Sequence, residues 1–354
     1  MRVIEQDCGV PDRVWFAFFG AKPLAGIQNQ PKTNMNIHTT TVMAGVFAAG
    51  LSVSSAQNHV DPDLPKYKQV EGVSGRLSSI GSDTLNNLMT LWAEGFQKEY
   101  PNVVISIEGK GTSTAPPALI EGTAQFGPMS REMKAEEIDK FEEKFGYKPT
   151  KIEVAIDALA VYVHKDNPVE SLTLEQVDGI FSSTRRGGGQ DISEWGQLGL
   201  DQWKGRKISL YGRNSASGTY GFFQKKALFK GDYKSTVKEQ PGSSSVVQGV
   251  GGDLYSIGYS GIGYMTSDVR GVPLKKDDGK AYAPTYENTL KGDYPLARFL
   301  YVYVNKKPGE PLPKTSLEFF KFVLSQEGQK IVEKDGYFPL PADYAKKVAG
   351  GLSE

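Results

Sequence analysis

Cysteine and histidine are almost absent from this chain. Of its 354 residues only Cys8 is a cysteine, and the histidines are His38, His59 and His164. Cys8 lies inside a predicted leader, so the mature chain would have neither disulfide nor thiol chemistry. So few histidines argue against a His-based metal site and against a Ser-His-Asp triad. We therefore predict no metal and no cofactor.

The chain also has no excess of either charge. Lys and Arg together number 41, and so do Asp and Glu, which gives a formal net charge of zero. A protein that gathers nucleic acid by releasing counterions needs surplus positive charge, so we predict no nucleic-acid partner. Any anion that this chain binds must be held by the local geometry of its site.

Long hydrophobic runs are missing as well. Residues 39–56 (TTTVMAGVFAAGLSVSSA) form an apolar stretch of small residues that is too short and too polar for a convincing membrane span. The stretch resembles the apolar part of a signal peptide, and it ends in the small residues that signal peptidase prefers. We predict a leader over residues 1–56, with cleavage near Ala56 and Met35 as an alternative start. A buried hydrophobic helix is the other reading.

What the sequence does contain is a set of loops rich in small hydroxylated residues. The stretch 210–223 (LYGRNSASGTYGFF) has an apolar strand, a polar loop, and then Gly218-Thr219 at the start of a segment able to form a helix. Backbone N–H groups at a helix start favour an anion, and Arg213 could add a planar cationic fork. The alternative is a simple N-cap with Arg213 on the surface. Taken alone, this stretch favours neither.

Three earlier apolar strands end in similar loops. They lead to Gly81–Thr84, to Gly109–Thr114 and to Ser130, and we predict a helix after each loop. The third helix is predicted to begin at Ser130 and to continue through Lys144. Ligands of open α/β sheets lie beyond the carboxyl ends of the strands, where such loops gather. Four loops of this kind therefore indicate a shared oxyanion site.

The length and two apolar runs bear on domain organisation. A chain of this size is compatible with two packed units or with one large unit. Residues 152–164 and 298–305 are long β-rich runs of the type that cross between domains. We also predict a buried strand at residues 261–264 and one amphipathic helix over residues 315–335.

Enzyme patterns are incomplete in this sequence. Around Ser260 the nucleophile-elbow pattern fails, because Ile262 stands where glycine is needed. Residues 212–219 lack the lysine of a phosphate-binding P-loop. No metal cluster or activated nucleophile of a phosphatase is visible. We therefore predict that the chain is not an enzyme and has no catalytic residues.

Together, the motifs resemble one known family. GSDT at Gly81, GKGTS at Gly109, QFGPMSR at Gln125, GRNSASGT at Gly212 and GYSGIGY at Gly258 are similar to those of the periplasmic phosphate-binding proteins of ABC uptake systems. The resemblance covers residues 76–335 in the same order.

The resemblance implies an α/β, two-domain type II periplasmic binding protein fold. Each domain would hold a mixed five-stranded sheet flanked by helices, with the ligand cleft between the domains and a two-segment hinge. Domain one would comprise residues 57–165 plus 297–354, and domain two residues 166–296.

The resemblance also implies ligand contacts. The phosphate ligands would be Thr84, the Leu85 backbone, Thr112, Ser130, Arg213, Ser217, Gly218 and Thr219. Further candidates are Ser82, Asp83, Ser113, Arg131 and Asp157.

Two positions depart from the better-known members of that family. Ser130 stands where those members carry an aspartate that accepts the proton of phosphate, a proton that sulfate lacks. Ser215 replaces the aspartate that often partners the cleft arginine. Asp83 or Asp157 could supply the proton acceptor, or discrimination works differently, and the sequence leaves these alternatives open.

The predicted function is capture of inorganic phosphate by an exported protein. The protein would be periplasmic or secreted, monomeric, and would deliver phosphate to an ABC permease in the inner membrane. One alternative is a secreted scavenging, adhesion or signalling protein of the same fold without a permease partner. A phosphate-ester hydrolase is the other.

Overall fold

Strands and helices alternate along most of the chain in a computed structural model that describes residues 59–353. The predicted leader, its cleavage near Ala56, Met35 and Cys8 lie outside these residues. Within the described residues the strands are β1 (Gly75–Ile80), β2 (Val103–Glu108), β3 (Gly127–Met129), β4 (Thr150–His164), β5 (Leu172–Thr173), β6 (Ser209–Arg213), β7 (Lys238–Gln240), β8 (Ser256–Gly261), β9 (Val269–Gly271), β10 (Leu274–Lys275), β11 (Ala281–Tyr282) and β12 (Ala297–Val304). The helices are α1 (Asn86–Glu99), α2 (Ala115–Glu121), α3 (Ala135–Phe145), α4 (Leu174–Phe181), α5 (Gly218–Lys226), α6 (Ser243–Gly251), α7 (Tyr286–Leu290), α8 (Lys314–Val323), α9 (Gln326–Lys334) and α10 (Ala342–Ser353).

Strand β4 is the element shared by two sets of strands. The main sheet has the order β3-β12-β4-β8-β6-β7, and β9 also pairs with β4. The first part of β4 pairs with β12 up to Ala158, and the part from Leu159 pairs with β8. The parallel pair β1-β2 lies next to β3, because Ser79 in β1 forms a parallel bridge with Phe126, the residue directly before β3. The strands therefore form two sets of five that share β4. One set contains β1, β2, β3, β12 and β4, and the other contains β4, β6, β7, β8 and β9.

The apolar patterns of the sequence explain these elements. All residues from 154 to 163 are buried. This part of β4 is a nearly continuous apolar run, as expected for a central strand that is covered on both faces. Helix α2 carries Pro116 and Pro117 in its first turn and ends at Gly122, whose φ of 78° lies in the left-handed region. Trp195 is fully buried and packs against Trp203 with their ring centroids 5.7 Å apart.

Three local predictions were wrong. Helix α3 begins at Ala135 rather than at Ser130, because residues before Lys134 do not take helical geometry and the side chain of Glu137 accepts the Lys134 backbone N–H. Residues 262–264 form a single 3-10 turn after β8 and not a strand. The helix predicted over residues 315–335 is two helices, because Ser325 caps the start of α9.

The described residues, 59–353, form one compact unit, and its core runs through the sheets and the helices that cover them. Across the described part of the chain, no helix combines the length and the apolar character needed to cross a membrane. The polar loops that follow β1, β2, β3 and β6 all lie within this unit.

Candidate functional site

Hydroxyl groups from the four predicted loops meet in one buried cluster. The Thr84 and Thr219 Oγ1 atoms lie 2.9 Å apart, although these residues are separated by 135 positions in the chain. The Ser130 Oγ lies 3.0 Å from Ser82 Oγ and 3.2 Å from Thr112 Oγ1. All five residues are almost fully buried. We call these five side chains the hydroxyl cluster.

Gly218 allows the helix start to approach this cluster. A Cβ atom on Gly218 would lie 2.4 Å from Thr112 Oγ1 and 2.7 Å from Ser130 Oγ, which is closer than any side chain tolerates. Gly218 is the first residue of α5, so the positive end of the helix dipole is directed at the hydroxyl groups. Such a helix start suits an oxyanion.

Ser217 serves as the N-cap of α5. Its Oγ accepts hydrogen bonds from the backbone N–H groups of Thr219, at 3.1 Å, and Tyr220, at 3.5 Å. The cap reading of this stretch is therefore correct for the Ser217 side chain. The same turn carries Thr219, whose Oγ1 belongs to the hydroxyl cluster, so the cap does not exclude a cradle at this place.

Arg213 is buried beside this loop and not on the surface. Its side chain is 1% exposed; Nη1 donates to Ser243 Oγ at 2.6 Å and Nη2 donates to the Pro241 carbonyl at 3.0 Å. Nη2 also lies 3.2 Å from Asp83 Oδ2. Burial lowers the pKa of Arg213, and the Asp83 charge acts in the opposite direction. The Nε atom has no hydrogen-bond partner among residues 59–353.

Asp83 connects the first loop to the start of α6. Its Oδ2 accepts hydrogen bonds from the Ser243 N–H at 2.8 Å and from Ser243 Oγ at 3.0 Å, in addition to the contact with Arg213. An acidic partner for Arg213 is therefore present, although Ser215 occupies the expected position. It comes from a different loop of the chain.

Two tyrosines that the sequence did not single out hold the first loop. Tyr264 donates its hydroxyl to the Asp83 carbonyl, and Tyr337 donates its hydroxyl to the Thr84 carbonyl, both at 2.9 Å. Burial raises the pKa of each phenol, so both remain neutral donors near neutral pH. These contacts fix the backbone on which Thr84 is carried.

Arg298 is a second buried arginine at the site, and sequence reasoning missed it. Its Nη2 lies 2.7 Å from Asp157 Oδ2 and donates to Thr219 Oγ1 at 3.0 Å, while Nη1 donates to the Ser130 carbonyl at 2.8 Å. Asp157 is fully buried, and its Oδ1 accepts the Ile262 N–H. The sequence did contain a signal. The apolar runs 152–164 and 298–305 carry Asp157 and Arg298 at buried positions, and a buried charge requires a partner.

The other candidates lie at the edge of the cluster or turn away from it. The backbone N and Oγ of Ser113 both donate to the Ala216 carbonyl at 3.2 Å, which joins the second and fourth loops. The Leu85 N–H donates to the Ser82 carbonyl. Arg131 makes two 2.7 Å hydrogen bonds with Glu137 and takes no part in the hydroxyl cluster.

Comparison with known proteins places this arrangement in a family. A model of the PBP superfamily domain matches residues 67–327. The phosphate-binding protein PstS of Pseudomonas aeruginosa PAO1 is 57% identical over 303 residues, which cover 85% of this chain and 94% of that protein. The chain belongs to the PstS family. Staphylococcus saprophyticus PstS is 31% identical over 278 residues, covering 77% of this chain and 83% of that protein.

Solved structures agree with the family and with the fold. A Clostridium perfringens protein crystallised with bound phosphate is 29% identical, with a TM-score of 0.64, over 75% of this chain and 100% of that chain. An ABC-type phosphate transport receptor from Vibrio cholerae, at 23% identity and a TM-score of 0.59, shares the fold over 75% of this chain and 100% of that chain. The two-domain type II periplasmic binding protein fold indicated by the motifs is confirmed.

Proposed function

We propose that this chain is the phosphate-binding component of an ABC phosphate transporter. The observation that carries the proposal is the hydroxyl cluster: four separate loops bring neutral donors to one buried place beside the start of α5. The buried Arg213 ends β6 directly before the fourth of these loops. The relatives of the chain are named phosphate-binding proteins, and the chain acts as a binding protein rather than as an enzyme.

The physical basis of binding is the removal of water from around the anion. Neutral hydroxyl and N–H donors hold an oxyanion more strongly in a desolvated site than in bulk water, and a buried guanidinium adds a charge-assisted bond. Thr84, Thr112, Ser130, Ser217, Gly218 and Thr219 are proposed ligands together with the Leu85 backbone and Arg213. Ser82 and Ser113 support them.

Delivery to the permease is proposed to depend on the closure of two lobes around the ligand. With domain one as residues 57–165 plus 297–354 and domain two as residues 166–296, the contact between Thr84 and Thr219 joins both lobes. A ligand that touches both lobes favours the closed state by its difference in affinity between the states. The closed monomer then presents to the permease a surface that the open form lacks.

Export is the second part of the proposal. The leader over residues 1–56 is cleaved near Ala56, and the mature protein works outside the inner membrane. N-terminal sequencing of protein recovered from the periplasmic fraction is expected to begin near Gln57. Full-length chain in the cytoplasm would contradict export.

Isothermal titration of the purified mature chain with phosphate tests the binding function. Arg213→Ala is expected to weaken phosphate binding by at least about thirtyfold, because it removes a buried, hydrogen-bonded charge. The matched control is Arg270→Ala, since Arg270 is a partly buried arginine whose side chain donates, within residues 59–353, to the carbonyls of Asn167 and Val169. Absence of phosphate binding by the unchanged protein, or equal binding by Arg213→Ala, would overturn the proposal.

A further inference from the structure

Arg298 occupies a position from which it contacts both walls of the proposed anion site. It lies in β12 directly opposite Asp157 in β4, and its side chain is 2% exposed. From there it reaches Ser130, which follows β3, and Thr219, in the first turn of α5. Both of these residues carry hydroxyl groups of the hydroxyl cluster.

The hydrogen bonds of Arg298 have a direction that affects those hydroxyl groups. A guanidinium can only donate, so Thr219 Oγ1 must accept from it. A hydroxyl that accepts from a cation is polarised, and its own proton becomes a better donor to another group. The bond to the Ser130 carbonyl also fixes the backbone that carries Ser130 Oγ. Arg298 thereby prepares two hydroxyl groups to donate to an anion.

The charge of Arg298 is felt within the site. Burial is the main cause that lowers the pKa of Arg213, and repulsion from Arg298 lowers it further. Two buried cations that repel each other both gain from an anion placed near them. Asp157 holds the Arg298 guanidinium in place through its Oδ2.

We propose that Arg298 is a positioning residue of the anion site, which orients the Thr219 hydroxyl and the Ser130 loop and biases the site toward doubly charged tetrahedral anions. This inference rests on the proposed phosphate function. It assigns to the hinge strand β12 a direct part in ligand selection. It also gives Asp157 the task of holding an arginine instead of accepting the ligand's proton.

Several other charged or titratable groups face the site. They are Asp83 and Tyr264 beside Arg213, Asp157 beside Arg298, and Tyr337 beside Thr84. Asp335, whose pKa burial raises to about 6, lies next to Asn87 in α1. A variant of Arg298 alone also removes the ion-pair partner of Asp157 and a charge that acts on Arg213 and Tyr337. Its pH profile is therefore compared with that of a double variant in which the Asp157 charge is removed as well.

The experiment is isothermal titration with phosphate and with sulfate from about pH 6 to about pH 8, a range in which phosphate changes from mainly singly to mainly doubly charged. The unchanged protein is expected to bind phosphate more tightly as pH rises. Arg298→Gln is expected to lose about tenfold or more in affinity near pH 8 and to show a smaller rise with pH. Arg298→Lys should restore part of the rise, and Arg270→Gln should match the unchanged protein.

Folding and function are separated by a double variant. Arg298→Gln alone leaves Asp157 as a buried unpaired charge, whereas the double variant Asp157→Asn with Arg298→Gln removes both charges. The phosphate affinity of the double variant is also expected to rise less with pH than that of the unchanged protein. A pH profile of either folded variant parallel to that of the unchanged protein would overturn the inference and leave phosphate binding intact. Failure of the unchanged protein to bind phosphate would instead overturn the proposed function.

Discussion

Asp335 is a buried carboxylate, and one of its two oxygens accepts a hydrogen bond within residues 59–353. Its Oδ1 accepts from Asn87, and its Oδ2 has no hydrogen-bond partner among the described residues. Burial raises the pKa of Asp335 from 3.8 to about 6, although the bond from Asn87 acts in the opposite direction. The folded chain therefore holds this proton more tightly than the unfolded chain does, and folding stability falls as pH rises from about 4 to about 6.

Asp335→Asn is expected to remove that pH dependence. A pKa difference of about two units corresponds to about 3 kcal/mol, so the variant should be more stable than the unchanged protein by about 1–3 kcal/mol at neutral pH and by little near pH 4. Urea denaturation at several pH values measures this. Asp343→Asn, at an exposed acid in α10, is the control. Parallel stability curves for Asp335→Asn and the unchanged protein would contradict the assignment.

At the scale of elements, the junction between α8 and α9 shows how one residue divides a helix. Ser325 is 1% exposed; its Oγ accepts from the Gly328 N–H at 3.3 Å and donates to the Phe322 carbonyl at 2.7 Å. A Cβ on Gly328 would lie 2.2 Å from the same carbonyl. The chain thus turns tightly between α8 and α9, although the helical spacing of apolar residues continues through this point of the sequence.

Ser325→Ala is expected to lower the free energy of unfolding by about 1–2 kcal/mol, because it removes an N-cap and the side-chain acceptor of the buried Gly328 N–H. Thermal and urea denaturation measure the loss. Ser74→Ala, at an exposed serine, should change stability by less than about 0.5 kcal/mol. A Ser325→Ala protein as stable as the control would show that the cap does not determine this junction.

Elements governed by local rules were predictable from the sequence. The strands that precede the four loops, the helix start at Gly218 and the end of α2 at Gly122 follow from apolar spacing and from residue-specific backbone geometry. The start of α3 was misplaced, because the bond between Glu137 and the Lys134 backbone outweighs the cap signal at Ser130.

Contacts between distant parts of the chain were not predictable in the same way. Arg298 and Asp157 are 141 positions apart, and they meet because of the register of β12 against β4. Likewise, the contact of Asp83 with Arg213 depends on how the first loop meets α6. Apolar periodicity identifies strands, but it does not fix which residues lie opposite each other.

At the scale of the whole molecule, Asp83 links parts of the chain that we assign to different lobes. Its carboxylate contacts Arg213 and Ser243, both within residues 166–296, while Asp83 itself lies within residues 57–165. In the proposed two-lobe scheme, this link belongs to the closed state. It would therefore stabilise the closed state and, through that state, the bound ligand.

Asp83→Asn is expected to weaken phosphate and sulfate binding by a similar factor, about three- to thirtyfold, because it removes charge-assisted bonds that belong to the closed state. In small-angle scattering, the ligand-free variant should have a radius of gyration at least as large as that of the unchanged protein. Asp166→Asn, at an exposed acid, is the control for both measurements. A variant that loses phosphate affinity but keeps its sulfate affinity would instead identify Asp83 as the acceptor of the phosphate proton. Equal loss for both anions places Asp83 in the closure of the lobes, since sulfate has no proton to offer and senses only the change in the closed state.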